Sequence, residues 1–315
     1  MILAVVLWLP LALQAMPVYD DDDRRDPADT DDRAVLALAD STVALFPSDK
    51  VTVKDGWAEL ATKPYSEVLP LCEGERFAGQ RVGADCSGAL VAPDVILTAG
   101  HCVKSKAACG RTFFVFGFRT GRDGTTPTRV PASEVYSCKA IVGRKLDSQA
   151  GSDWALIALD RPARGHKALG LDTAAVTKGL PVMVIGHPLG LPAKVAAKGA
   201  VRDASPEAYF TTDLDAFHGN SGSPVFASGS RRIVGVLARG DEDFETVVKP
   251  DGSKCLRTKV CRNGGCEGEV ATKVSEFIET LSRRLKPALP RSEKSLHAGF
   301  SSPSLGVLKD WACVP

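Results

Sequence analysis

The chain has 315 residues, with 39 Lys and Arg against 38 Asp and Glu, and a formal net charge of +1. So even a balance excludes the basic footprint expected of a nucleic-acid-binding protein or of one held on an anionic membrane. The length is enough for one large domain or two lobes with a sizeable core.

Residues 1–15, MILAVVLWLPLALQA, are apolar from Ile2 to Leu13 and carry no charge. The run is too short to span a bilayer and ends at a small residue, so it reads as a secretory signal peptide. Residues 16–40 follow as an acidic N-terminal arm or short pro-segment. Its VYDDDDRRDPADTDDR (18–33) is so charged that a solvated strand of chain is expected.

From about Val43 to Val270 the apolar residues come in short runs: SGALVAPDVILTA, TFFVFGF, DWALIALD, LPVMVIGH and RRIVGVLA. Gly, Pro and Asp punctuate them at short intervals. That pattern predicts an all-β barrel or sandwich. Val270, Val274, Phe277, Ile278, Leu281 and Leu285 then fall at helical spacing, predicting one C-terminal amphipathic helix before Pro287. The basic residues between Lys273 and Lys286 read as the solvated face of that helix. Residues 287–315 form a tail without an assignment.

Nine cysteines (Cys72, Cys86, Cys102, Cys109, Cys138, Cys255, Cys261, Cys266 and Cys313) include no CxxC pair. Disulfides formed outside the cytoplasm explain them better than zinc. Cys255, Cys261 and Cys266 have no His nearby and are read as staples of a surface loop near a pocket entrance. An odd total leaves one thiol without an intramolecular partner.

Five histidines, His101, His166, His187, His218 and His297, bound the search for a general base. His101 follows an apolar run that ends in Thr98-Ala99-Gly100, so a rigid strand end would present it to solvent. A Cys86–Cys102 bridge would pin its backbone, and closing such a loop stabilises by about 3 kcal/mol in the chain-entropy model. An imidazole base also needs a carboxylate to hold its other nitrogen. Asp153, at the start of DWALIALD, is the candidate, although an Asp before a strand, taken alone, is more often merely a turn residue. In GNSGSP (219–224), Gly219 and Gly222 permit the sharp turn that presents Ser221. The amides of Gly219 and Ser221 could then converge on a developing oxyanion.

TAGHC, the Asp of DWALI and GNSGSP stand in the order His, Asp, Ser, and together they resemble the trypsin-like (chymotrypsin-fold) serine peptidases. GNSGSPVF resembles the bacterial secreted branch that includes the glutamyl endopeptidases, as does VYDDDDRRD in its N-terminal position. The likeness runs from about Ser41 to Val270. It implies two six-stranded β-barrels with an active site between them, a peptidase domain over 41–286, and a His101–Asp153–Ser221 triad working through an acyl-enzyme. No cofactor or metal is implied, and the partner is a protein or peptide substrate met in a secreted or periplasmic setting. Two departures matter. DDDDR resembles the trypsinogen activation peptide, yet Arg25-Asp26 follows it instead of Ile-Val. Asn220 also stands where animal trypsins carry the Asp that receives a new N-terminus, so that switch is not expected. Ser223 replaces a more usual Gly.

In that family the residue six before the nucleophile forms the pocket floor, here Asp215. A free Asp215 implies basic substrates, whereas Arg239 on a facing strand would either neutralise it or, facing the pocket alone, favour acidic ones. His218 is placed at the rim and His187 in a structural loop. Phe217, Phe226 and Trp154 are assigned to core and pocket wall. The competing functions are a non-catalytic binding protein on the same fold and an esterase using the same triad.

Overall fold

The computed structural model describes residues 17–262 and 265–286. Residues 1–16, which include the segment read as a signal peptide, and residues 287–315, with His297 and Cys313, lie outside the described residues. Twelve strands form two closed barrels. The first contains β1 (Thr42–Pro47), β2 (Cys86–Ala92), β3 (Val95–Thr98), β4 (Thr112–Val115), β5 (Val135–Asp147) and β6 (Ser152–Leu159), in the order β5-β6-β3-β2-β1-β4. The second contains β7 (Pro181–Gly186), β8 (Lys194–Asp203), β9 (Tyr209–Thr212), β10 (Pro224–Ala227), β11 (Ile233–Arg239) and β12 (Glu269–Lys273), in the order β7-β8-β9-β12-β11-β10. All barrel pairings are antiparallel.

The short apolar runs become strands because their branched side chains pack on pleated surfaces that are buried on both faces. Every residue of β2, β3 and β6 is buried. Val43, Leu90, Ile96, Phe114 and Ile157 fill the first barrel. Val184, Phe210, Val225 and Leu237 fill the second. A further cluster joins the two, with Leu97, Trp154 and Leu156 packed beside Ile185, Phe226, Val236 and Phe277. Phe217 is also buried. Burying each such side chain stabilises by about 1.5–3 kcal/mol, so the inter-barrel seam is a core in its own right.

The C-terminal helix, Ile278–Leu285, is shorter than its periodicity predicts. Val270 belongs to β12, and Val274 opens a 3-10 turn, Val274–Glu276, that leads into the helix. Leu281 is buried while Leu285 is exposed.

Among the described residues four disulfides join Cys86–Cys102, Cys109–Cys138, Cys72–Cys255 and Cys261–Cys266. Cys255 thus ties a loop to residue 72, far upstream, while Cys261 and Cys266 close a local staple.

The acidic arm differs most from expectation, since it packs on the second barrel and buries part of its length, while Asp20, Asp21, Arg25, Asp29, Asp31 and Arg33 stay exposed. Val18 is fully buried, and Val18–Tyr19 pairs in parallel with Val260–Cys261. Arg24 and Asp26 are buried as well. The charges are absorbed locally: Arg24 is held by Asp22 and lies 3.7 Å from the centre of the Phe217 ring. Asp26 meets the buried Lys194 ammonium at 2.6 Å. Residues Arg33–Asp40 then form a helix capped by the Asp32 side chain.

Candidate active site

The barrel register brings the first two candidate residues together. In the β6–β3 pair Ala155 lies opposite Thr98, so Asp153 sits beside the chain leaving β3 at Gly100-His101. The Asp153 carboxylate accepts the His101 backbone N–H at 3.0 Å and lies 2.7 Å from His101 Nδ1. It is buried, whereas the His101 side chain stays about a quarter exposed (26 %). One carboxylate therefore fixes both the backbone and the ring, and leaves the other ring nitrogen to act. Thr272 holds the Asp153 backbone: its hydroxyl accepts the Asp153 N–H at 3.0 Å and donates to the Asp153 carbonyl at 3.1 Å. Gly100 has no room for a side chain, because a Cβ there would meet Lys145, Trp154 and Asp153.

Ser221 sits on the turn between β9 and β10, with Gly219 at φ 90° and Gly222 at φ 88°. Any Cβ at Gly222 would strike Ser87, Thr98 and Ala99 of the first barrel. Both glycines are required by backbone sign and by close approach. The Ser221 hydroxyl donates to the Ala238 carbonyl at 3.4 Å, and the Cys102 sulfur lies 3.6 Å from the Ser221 carbonyl oxygen. Ser221 and the residue after His101 are thus neighbours across the barrel seam.

Ser87, which the sequence reading did not single out, clamps this turn. Its N–H donates to the Ser221 carbonyl and its hydroxyl to the Gly219 carbonyl, each at 2.8 Å. The His187 N–H in turn donates to the Ser87 hydroxyl at 2.8 Å. Leu189, at a rare positive φ of 54°, donates its N–H to the His218 carbonyl. A trans peptide carries its C=O and N–H on opposite sides. Tying down the His218 carbonyl therefore turns the Gly219 N–H away from the 188–190 segment. Neither the Gly219 nor the Ser221 N–H is used by another described residue. Asn220 is buried, and its side-chain oxygen accepts the Ser223 hydroxyl at 3.2 Å.

Asp215 and Arg239 are not brought together. The two Asp215 oxygens accept the backbone N–H groups of Tyr19 and Asp23, both at 2.7 Å. Burial pushes the Asp215 carboxyl up to about 7, with the arm's amides opposing that rise and the Asp23 charge adding to it. Arg239 instead donates to the Gly151 carbonyl at 3.3 Å and lies over the Tyr209 ring. His218 is exposed, with its N–H donating to Asp243. His187 is buried against Leu191 and Phe118, and burial pushes it down to about 4, so it is a neutral structural residue.

The sequence reading also missed Glu269. This β12 residue is fully buried, and burial, together with Asp243, Asp241 and Asp215, holds its carboxyl well above the usual carboxylate range. An acidic side chain at the head of the apolar run EVATKV was the available signal. Among the described residues the Cys86–His101–Cys102 cluster has both sulfurs in a disulfide, so it offers no thiolate to a metal.

Residues 86–236 match the family model of the trypsin-like peptidase domain. A Glu endopeptidase solved in complex with MPD superposes with a TM-score of 0.50 at 16% identity, covering 85% of this chain and 98% of that one. The Vibrio cholerae VesB protease superposes with a TM-score of 0.47 at 16% identity, over 78% of this chain and 64% of that one. The paired six-stranded barrels with a C-terminal helix are the chymotrypsin fold.

Proposed function

We propose, from the premise that the chain carries a trypsin-like peptidase domain, that it is a serine endopeptidase acting through His101, Asp153 and Ser221. The observation that carries the reading is the double hold of Asp153 on His101, at 3.0 Å to the backbone and 2.7 Å to Nδ1, beside the glycine-framed Ser221 turn.

In the reaction, the Ser221 oxygen attacks the scissile carbonyl carbon while His101 Nε2 takes the hydroxyl proton. Asp153 keeps the other ring proton on Nδ1 and stabilises the imidazolium. The Gly219 and Ser221 N–H groups receive the oxyanion; removing one such donor costs about 3–4 kcal/mol of transition-state stabilisation. The intermediate collapses as His101 gives its proton to the leaving amine, which leaves an acyl ester on Ser221. Water, deprotonated by His101, then attacks the ester and releases the second product.

The substrate is a protein or peptide, and four disulfides suit an extracellular or periplasmic location. Activation by a new terminus is not part of the mechanism, since Asn220 is engaged by Ser223 and carries no charge to pair with an ammonium. Labelling by a fluorophosphonate tests the reading: the label is expected on Ser221 and absent from Ser221→Ala. Neither labelling nor cleavage of any peptide in a library by the pure, folded protein would refute it.

A further inference from the structure

A four-residue turn runs from Phe217 to Asn220, closed by the Asn220 N–H on the Phe217 carbonyl at 2.9 Å. Its third residue is Gly219 at φ 90°, the place that a type II turn keeps for glycine. Phe217 is therefore one anchor of the turn that presents the Gly219 N–H. Its ring is buried, yet it lies outside the clusters that fill and join the barrels. The N-terminal arm grips it instead: the Arg24 guanidinium lies 3.7 Å from the ring centre, with Phe244 edge-on at 5.4 Å.

Arg24 is itself fixed. It is 3 % exposed, and its Nε and one terminal nitrogen donate to the two Asp22 carboxylate oxygens, each at 2.8 Å. Arg76 straps this stretch of the arm by donating to the backbone carbonyls of Asp22 and Arg24. Two residues before Phe217, the Tyr19 and Asp23 N–H groups hold the Asp215 carboxylate. The arm thus grips the approach to the turn at alternate residues, 215 and 217. His218, the next residue, is held by Asp243 at its N–H and by Leu189 at its carbonyl. A buried ion pair is weak evidence for stability, and its best-attested use is to fix one arrangement among several. A cation on an aromatic face also gains strength where water is excluded.

We propose that Arg24 is a positioning residue for the reaction: seated on Phe217, it holds the 217–220 turn in the form that aims the Gly219 N–H at the oxyanion, so that catalysis needs the arm docked. This rests on the serine-peptidase reading above and assigns the arm a part in it. No free α-amino group is involved, because Arg24 is internal to the arm, and no charge at residue 220 is required.

The test compares the full chain with Arg24→Met, which keeps the length of the side chain without its charge, and with Arg24→Lys, which keeps a cation. In Arg24→Met, kcat on a peptide and the rate of fluorophosphonate labelling are expected to fall by about 10²-fold, the cost of displacing a catalytic group by about 1 Å. KM should change little, because the Gly219 N–H acts on charge that develops in the transition state. Arg24→Lys is expected to recover part of the loss. Asp31→Asn, at an exposed arm position outside this contact, should match the unmodified enzyme. The inference is overturned if folded Arg24→Met keeps its kcat, if only KM rises, if Arg24→Lys recovers nothing, or if Asp31→Asn loses as much. Should Arg24→Met not fold, Arg76→Ala, at a half-exposed site, must lower kcat in the same sense, and an unchanged kcat there overturns the inference. Hydrogen exchange of residues 217–221 is read in parallel. If the unmodified protein neither labels nor cleaves, the peptidase reading fails. Faster exchange in Arg24→Met then leaves the arm's hold on the turn standing, and equal exchange overturns that hold as well.

Discussion

The Tyr19 N–H donates to Asp215 Oδ1 at 2.7 Å, so the N-terminal arm occupies the carboxylate that the sequence places at the pocket floor. Asp23 takes the second oxygen, and its own carboxylate accepts the N–H groups of Ala197 and Lys198 at 2.7 and 2.8 Å. Asp215→Asn offers one acceptor where two are used. It is expected to loosen residues 17–26, read as faster amide exchange and earlier proteolysis there. The sign of the pH effect follows from the raised carboxyl, about 7 in the fold against 3.8. This group's contribution to stability is complete below pH 3.8 and is lost as pH rises through about 7. Denaturation of the unmodified protein and of Asp215→Asn, compared across that window, measures it.

Lys194 anchors the same arm. Its ammonium, 2 % exposed, donates to Asp26 at 2.6 Å, Gln80 at 2.7 Å and the Pro192 carbonyl at 3.1 Å. Burial pulls its pKa down to about 8. Asp26→Ala leaves a buried charge without its counter-ion and is expected to destabilise by about 3–5 kcal/mol in urea unfolding.

His166 is held between Asp40 at 2.9 Å and Glu134 at 2.8 Å and stacks on Phe116 at 4.0 Å. Burial alone would lower its pKa, but the two carboxylate hydrogen bonds raise it to about 9. Its contribution to stability is therefore complete below pH 6.5 and is lost as pH rises through about 9. His166→Gln should flatten that part of the stability profile, and an NMR titration of the ring should give a midpoint near 9.

Gly219→Ala places a methyl 2.7 Å from the His187 carbonyl oxygen, on a backbone at φ 90°. The turn must shift the N–H that we propose receives the oxyanion, and kcat is expected to fall by about 10²–10³-fold with KM little changed. Ser87→Ala removes the donor to the Gly219 carbonyl and the acceptor of the His187 N–H. It should lower kcat in the same sense, measured alongside melting temperature to separate positioning from stability.

His101, Asp153 and Ser221 were legible because each lies in a short string whose local logic is self-contained: a strand end, a strand start and a turn framed by glycines. The pairing of His101 with Asp153 depends on the β3–β6 register, and the approach of the Ser221 turn to the first barrel on Gly222 abutting β2 and β3; neither is readable from composition. The arm was misjudged for a physical reason. A run of Asp normally stays in water, but here backbone N–H groups, Arg24 and Lys194 each take a carboxylate, and Lys194 lies 168 residues along the chain from Asp26, beyond any local signal. The sequence left open whether Arg239 meets Asp215 or faces the pocket alone; its guanidinium points to Gly151. Side-chain direction at the end of a barrel strand depends on the bulge between Leu237 and Arg239.

The most direct measurement is rapid-quench mass spectrometry of the enzyme with a peptide thioester, under conditions where acylation outruns deacylation. The account predicts one acyl adduct on Ser221, absent in Ser221→Ala and forming about 10⁴-fold more slowly in Asp153→Asn. Turnover without an adduct, or an adduct on any other residue, would contradict it.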